Sequence, residues 1–450
     1  MTPPDLPIAR RGLSRREFLR LAGRAAPGLA LPGLLAACAT DPVTGRSTMV
    51  GLTEQQEIEI DRRQAPQQIS ADYGPVQDGA LNGYVGGVGG SLWTKSHRPQ
   101  MPYSVRVVNA NYVNAYTFPG GTMAITRGIM LQMASEDELA ALLGHEIGHV
   151  NARHAAERAG RQQAAGVAVG IAQIGLAVIG LGDVAQVAGQ IGQIGASALL
   201  ASYSRDDERE ADSLGFEYMT RAGYNADGMV ALMDALRREE RDQPSMIQTM
   251  FSTHPMSNER YATAVREAQG KYAASRAARI QRERYADHTA RLRALRPAIE
   301  AQQRGEAALA KKDLPAASQH FEQALSLAPE DYTGLILMAK LQLAQKRFAE
   351  AEPFVDRAIA VYPQEPQGQL LGGFVKLVQK RPEIAYQRFD AYDKALPGNP
   401  NTLFFKGVAM EHMQNRNQAA QLYLQYLRVV RQGRQAQYAE QRLRQWGVIR

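Results

Sequence analysis

The sequence predicts a mainly α-helical protein with one small β-sheet, in which a globular domain precedes a stack of paired helices. Three observations carry that expectation. Short alternating and β-branched runs between Tyr103 and Thr126 flank Pro119-Gly120-Gly121 and read as strands joined by a glycine turn. Leu139, Leu142, Leu143, Ile147 and Val150 then recur at helical spacing behind a Ser135/Glu138 capping-box pair. Beyond about residue 298 the chain repeats itself every 34 residues. At 450 residues it is too long for one core, and a hydrophobic share of 45% against 22% charged residues excludes global disorder.

Residues 1–37 read as an address. Ser14-Arg15-Arg16-Glu17-Phe18-Leu19-Arg20 resembles the twin-arginine export signature, and Leu35-Ala36-Ala37-Cys38 resembles a bacterial lipoprotein processing site. By that resemblance Cys38 becomes the lipid-bearing first residue of the mature chain, and Ala39 after it favours the outer membrane. The expected location is therefore the periplasm, with the protein exported by the twin-arginine route and tethered to a membrane surface by lipid. Cys38 is the only cysteine, which excludes a disulfide framework and a Cys-rich zinc module. The address segment also carries a net +4 of the chain's +7. The remaining +3 gives no indication of a nucleic-acid partner.

Helical patterning begins near Thr53. Tyr103, Val105 and Val107 share one face of a first strand. Tyr112 to Phe118 forms a second extended run, and Thr122 to Thr126 a third. Residues 162–204 hold one charge, Asp183, between two uncharged arms of 21 residues. Each arm is long enough to cross a bilayer, but the glycines and the glutamines at 173, 186, 190 and 193 weigh against it. A small-residue hairpin packed on the protein or dipping into lipid is the default reading, and a spanning hairpin is the alternative.

The C-terminal period is explicit. Ala317, Ala351, Ala385 and Ala419 are 34 apart, as are Gly305, Ala339, Gly373 and Gly407, and Phe321, Val355, Phe389 and Tyr423. Pro329, Pro363 and Pro397 close three units, with Arg431 in the fourth slot. The pattern resembles the tetratricopeptide repeat, although the Trp usual in the first repeat position is not matched. Small residues mark where paired helices touch, and proline stops the second helix.

His145-Glu146-Ile147-Gly148-His149 places two imidazoles on one helix face as candidate zinc ligands, with Glu146 beside them as candidate general base. Catalytic zinc takes a third protein ligand and keeps a position for water. Spacing alone leaves Glu208 and Glu210 equally suitable. His-Glu-x-x-His followed by Ser204-Arg205-Asp206-Asp207-Glu208-Arg209-Glu210-Ala211-Asp212 resembles the M48 metallopeptidases. Asn114-Ala115-Tyr116 with Pro119-Gly120-Gly121 upstream, and Ser252-Thr253-His254-Pro255 downstream, extend the match. The resemblance implies a zincin-like domain holding one zinc ion through His145, His149 and Glu208. It also implies a proton-donating or site-supporting Asp212, for which a role in accepting a ligand N–H is physically as sensible. His254 becomes a candidate regulatory fourth ligand, the alternatives being substrate contact or local structure. His154, five residues after His149, points away from the ligand face of an unbroken helix and reads as structural or as support for a ligand. Because His149 and Glu208 meet one ion, the two arms between them are expected to run antiparallel.

The domain organisation predicted is a signal segment over 1–37, a zinc peptidase domain over 38–297 with the apolar hairpin at 162–204, and repeats over 298–450. The function expected is zinc endopeptidase action on misfolded or stalled cell-envelope proteins, substrate adding as a strand along Asn114, Ala115 and Tyr116. The repeats are expected to recruit clients or outer-membrane assembly machinery. The competing expectation is a chaperone-like scaffold whose protease site is mostly latent.

Overall fold

The computed structural model describes residues 38–45, 47–164, 202–242 and 244–450. The address segment and residues 165–201, most of the apolar hairpin, lie outside the described residues. Among the described residues no helix is long and apolar enough to cross a membrane.

The chain opens with an antiparallel ribbon, β1 (Cys38–Thr40) and β2 (Ser47–Met49). Thr53 and Gln56 form a reciprocal capping box at the start of α1 (Glu54–Ala71), and Asp78 caps α2 (Gly79–Trp93). The sheet is built from β3 (Ser104–Val108), β4 (Ala115–Thr117) and β5 (Thr122–Thr126) in the order β3-β5-β4. β3 pairs with β5 in parallel and β4 pairs with β5 antiparallel through the turn at Gly121, whose φ of +102° suits glycine. Val105 and Val107 are buried against α2, as the alternation predicts. The middle run yields a strand of only three residues: Val113 N–H donates to Met246 O and Asn114 N–H to Thr126 Oγ1, so of these two residues' four backbone groups only the Asn114 carbonyl meets the β5 backbone, through the Thr126 N–H.

Helices α3 (Arg127–Met130), α4 (Glu136–Asn151), α5 (His154–Ala164), α6 (Arg205–Arg221), α7 (Asp227–Asp242), α8 (Pro244–Thr253), α9 (Asn258–Gln269) and α10 (Arg282–Ala294) complete the first unit. α4 is buried along its whole length, in the middle of the apolar core.

The repeats follow as four helix pairs. They are α11 (Arg296–Ala310) with α12 (Leu314–Leu327), α13 (Tyr332–Ala344) with α14 (Phe348–Val361), α15 (Pro366–Val378) with α16 (Pro382–Ala395), and α17 (Pro400–His412) with α18 (Arg416–Val429). α19 (Arg434–Gln445) covers the last pair. Each periodic position has a packing reason. A Cβ at Gly305, Gly373 or Gly407 would lie 2.3–2.6 Å from the ring of Phe321, Phe389 or Tyr423. Where the small residue is Ala339, the large one is Val355, so volume is conserved across the pair. The four alanines are fully buried.

A polar seam joins the repeats to the first unit. Buried Arg127 forks onto Asp331 (2.7 and 3.2 Å), Asn111 donates to Glu306, and Gln303 donates to the carbonyl of Asn111. Thr333 donates to Asn109 O, Lys340 to the Tyr73 hydroxyl, and Ser70 to Glu365 (2.6 Å). Such buried polar contacts orient two bodies more than they add net stability. Burial lifts the Asp72 carboxyl to about 7 and that of Glu365 to about 8, and lowers the Lys340 ammonium to about 8.

Candidate metal centre

Helix α4 is held at its start by its own acids. Ser135 Oγ accepts the Glu138 N–H, and the Glu138 carboxylate takes the Ala134 N–H and the Ser135 hydroxyl. The reciprocal bond expected of a capping box, to the Ser135 N–H, is replaced by these two. Asp137 accepts the backbone N–H groups of Asn225 and Gln281, which ties two loops to the helix. Three carboxylates in the first turn also suit the positive end of the helix dipole.

The close approach of α4 to α6 brings the site together. A Cβ on Gly144 would lie 3.0 Å from Gly215 O, and one on Gly148 would lie 3.0 Å from Ala211 O and 3.1 Å from its Cα. The helices therefore touch backbone to backbone through small residues. Glu208, at the start of α6, is thereby carried to the imidazoles of α4.

His145, His149, Glu208 and His254 form a buried group whose ligand atoms all lie within 4.8 Å of one another. His145 Nε2 is 3.1 Å from His149 Nε2 and 3.3 Å from His254 Nδ1. Glu208 Oε1 is 3.0 Å from His254 Nδ1 and 3.4 Å from His149 Nε2. Donor atoms about 2.0–2.1 Å from a tetrahedral zinc stand about 3.3 Å apart, so the spacing fits that ion. The chemistry of the set fits as well: three imidazole nitrogens and a carboxylate converge with almost no contact with water. Glu210 lies outside the group.

The surroundings orient these donors. Asp212 Oδ1 is 2.9 Å from His145 Nδ1, and Arg260 forks onto the same carboxylate with two contacts of 2.7 Å. Burial alone would raise the Asp212 pKa, but Arg260 and His145 hold it below the usual carboxylate range. Arg260 Nη1 also lies 2.6 Å from Glu208 Oε2. The ring of Tyr203 stacks on His149, centroids 3.7 Å apart. Sequence reasoning missed Arg260 and Tyr203, since neither belongs to a spacing pattern that one sequence can display.

Both carboxylate oxygens of Glu146 are buried without a hydrogen-bond partner, and burial raises its pKa. His254 Nε2 is 3.8 Å from Glu146 Oε1, so His254 faces the ligand group with one nitrogen and Glu146 with the other. His254 follows α8 and is buried. Ala115 and Tyr116 lie in β4 at the sheet edge, both buried, and the Tyr116 hydroxyl donates to Asp72. Asn114 precedes the strand and is buried with both side-chain polar atoms unpartnered.

His154 departs from the straight-helix expectation. The helix breaks after Asn151, and Arg153 takes φ +57°, which turns the His154 ring back until Nδ1 is 2.8 Å from His149 Nδ1.

Residues 80–268 match Peptidase family M48, and residues 308–372 match the tetratricopeptide repeat. The beta-barrel assembly-enhancing protease of Yersinia pestis is 28% identical over 248 residues, 55% of this chain and 51% of that protein. Its Escherichia coli K12 counterpart is 24% identical over 239 residues, 53% of this chain and 49% of that one. Metalloprotease YcaL of Escherichia coli K12 is 31% identical over 160 residues, 35% of this chain and 59% of that one. The chain spans about half the length of the assembly-enhancing proteases it matches. The candidate metal-binding cluster of α4, α6 and the turn after α8 thus lies in an M48 peptidase domain, and the helix pairs behind it are tetratricopeptide repeats.

Proposed function

We propose that the protein is a zinc metalloendopeptidase of the bacterial cell envelope, acting on misfolded or stalled envelope proteins and closed at rest by His254. The observation that carries the reading is the buried donor set of His145, His149 and Glu208 beside the unpartnered carboxylate of Glu146. Zinc, when bound, supplies Lewis acidity toward a peptide carbonyl and lowers the pKa of water. Glu146 takes a proton from the attacking water and returns it to the leaving amine as the C–N bond breaks. Asp212 accepts the Nδ1 proton of His145, so that its Nε2 lone pair faces the ion. Arg260 keeps Asp212 charged.

Closure at rest is supported by the double contact of His254, with Glu208 through one nitrogen and Glu146 through the other. Met246 in α8 also covers Val113, the residue leading to the sheet edge. Withdrawal of α8 with His254 would free both the ligand position and the edge along which an extended substrate could add. A chaperone-like role without cleavage draws on the same closure. The envelope location rests on the address segment and Cys38, and the helix pairs supply a surface for protein partners, including outer-membrane assembly machinery.

The deciding experiment is Glu146→Gln in the full chain. Zinc content and melting temperature are expected to match wild type while cleavage of an unfolded protein is lost. Retained cleavage would remove Glu146 from the general-base role; wild-type protein without zinc or cleavage would remove the enzyme reading.

A further inference from the structure

We infer that His154 and Glu210 are positioning residues that hold the ligand His149 in its metal-binding tautomer. The inference rests on the metal-centre reading above and concerns residues outside the donor set.

The argument follows the protons. His149 Nε2 faces His145 Nε2 at 3.1 Å and Glu208 Oε1 at 3.4 Å, so this nitrogen offers its lone pair to the ion. A neutral imidazole then carries its proton on Nδ1 and needs an acceptor there. The atom 2.8 Å away is His154 Nδ1. His154 must therefore present a lone pair at Nδ1 and carry its own proton on Nε2. Glu210 Oε2 lies 3.4 Å from that Nε2 and accepts it. The chain of donors runs one way, from His149 to His154 to Glu210, and leaves every nitrogen satisfied.

The backbone is arranged for this contact. On a continuous helix His154 would lie well away from His149. Arg153 instead occupies the left-handed region, φ +57°, where non-glycine residues are uncommon. Buried Arg153 is secured by Glu57 Oε1 (3.1 Å) and the carbonyl of Leu52 (2.8 Å), and Glu57 also binds Arg98. Strained positions persist where the surroundings over-determine them. The result is a buried His154 side chain whose partner Glu210 reaches partly into water. The two ligand histidines thus have different supports, the carboxylate of Asp212 for His145 and a neutral imidazole for His149.

The test measures zinc affinity of the full chain by chelator competition, with unfolding followed in parallel. His154→Phe fills the space without an acceptor and is expected to weaken zinc binding about 10- to 100-fold. His154→Asn can place its amide oxygen near the Nδ1 position and should recover most of that loss. Equal losses in the Phe and Asn variants would reduce His154 to packing, and wild-type affinity in the Phe variant would overturn the inference. Should both variants misfold, long-range ¹H–¹⁵N spectra of histidine-labelled, zinc-loaded wild type decide the matter. His149 protonated at Nδ1 and His154 at Nε2 is the expected pattern; a proton on His154 Nδ1 overturns it. Wild type that binds no zinc overturns the metal-centre reading itself, whereas a tight wild type with an unaffected Phe variant overturns only this inference.

Discussion

Replacing Gly148 tests whether the α4–α6 contact sets the metal centre. Two of the three nearest atoms to a Cβ there belong to the Ala211 backbone, at 3.0 and 3.1 Å, and cannot rotate aside. Gly148→Ala requires the helices to yield by a few tenths of an ångström. Its overpacking cost of about 1–3 kcal/mol is offset in part by about 1 kcal/mol of helix propensity, leaving a net loss of about 0–2 kcal/mol and a fall in melting temperature of several degrees at most. Gly148→Val adds two methyl groups about 1.5 Å further out and forces a separation on the order of 1 Å. His145 and His149 lie on one side of that contact and Glu208 on the other, while metal–ligand distances tolerate about 0.2 Å. Zinc affinity, measured by chelator competition, is expected to fall about tenfold for Ala and about 100-fold for Val. Gly373→Ala is the control, because its Cβ would strike Phe389 at 2.4 Å within the repeats. It should lower the unfolding temperature without moving zinc affinity. A folded Val variant that binds zinc like wild type would refute the idea that this contact positions the ligands.

Four further outcomes are expected. Glu208→Gln should strip zinc far more than Glu210→Gln, as read by bound metal; equal retention would mean the wrong carboxylate was chosen. His254→Ala should keep zinc and raise cleavage, including self-cleavage, with no gain when Glu146→Gln is combined; unchanged activity at full zinc occupancy would defeat the closure. Cys38→Ala should release the protein from the membrane fraction, and retention after a high-salt wash would shift the anchor to residues 162–204. At the seam, Glu365 and Asp72 bind protons more tightly folded than unfolded, so stability present below about pH 4 is lost as pH rises toward 7–8. Lys340 acts oppositely only above about 8; Glu365→Gln should flatten the fall in melting temperature between pH 5 and 8, and an unchanged slope would exclude Glu365 as its source.

Much of the candidate donor group was legible because helical geometry brings two of its histidines together. His145 and His149 share a face at any i, i+4 spacing, and the donor group includes both. Glu208 was readable only through resemblance, since spacing admits Glu210 equally. The return of His154 could not be read, because it depends on a left-handed Arg153 held by Glu57 and Leu52, far away in sequence. The narrow β4 was over-read for a similar reason. Asn114 looks extended in sequence, but its N–H turns to Thr126 Oγ1, and only its carbonyl still meets the β5 backbone.

The repeats show what makes a packing contact readable at all. Gly305 with Phe321, Gly373 with Phe389, Gly407 with Tyr423 and Ala339 with Val355 state one rule four times: the small residue shrinks when its partner grows. The period supplies its own comparison, so a single chain suffices. Even there the reading covers only side chains that vary. Lys312, Lys346, Lys380 and Gln414 also stand 34 apart, and all four take φ near +60° between the paired helices. No glycine marks that turn, although the N–H groups that follow make the closing bond to the preceding helix that usually accompanies one, Asp313 to Ala308, Arg347 to Gln342, Arg381 to Lys376 and Asn415 to Met410. The contact between Gly148 and Ala211 obeys the same volume rule but occurs once. A glycine inside His-Glu-x-x-His is indistinguishable in sequence from any helical glycine, and only its distance to α6 reveals that the spacing of the metal donors depends on it.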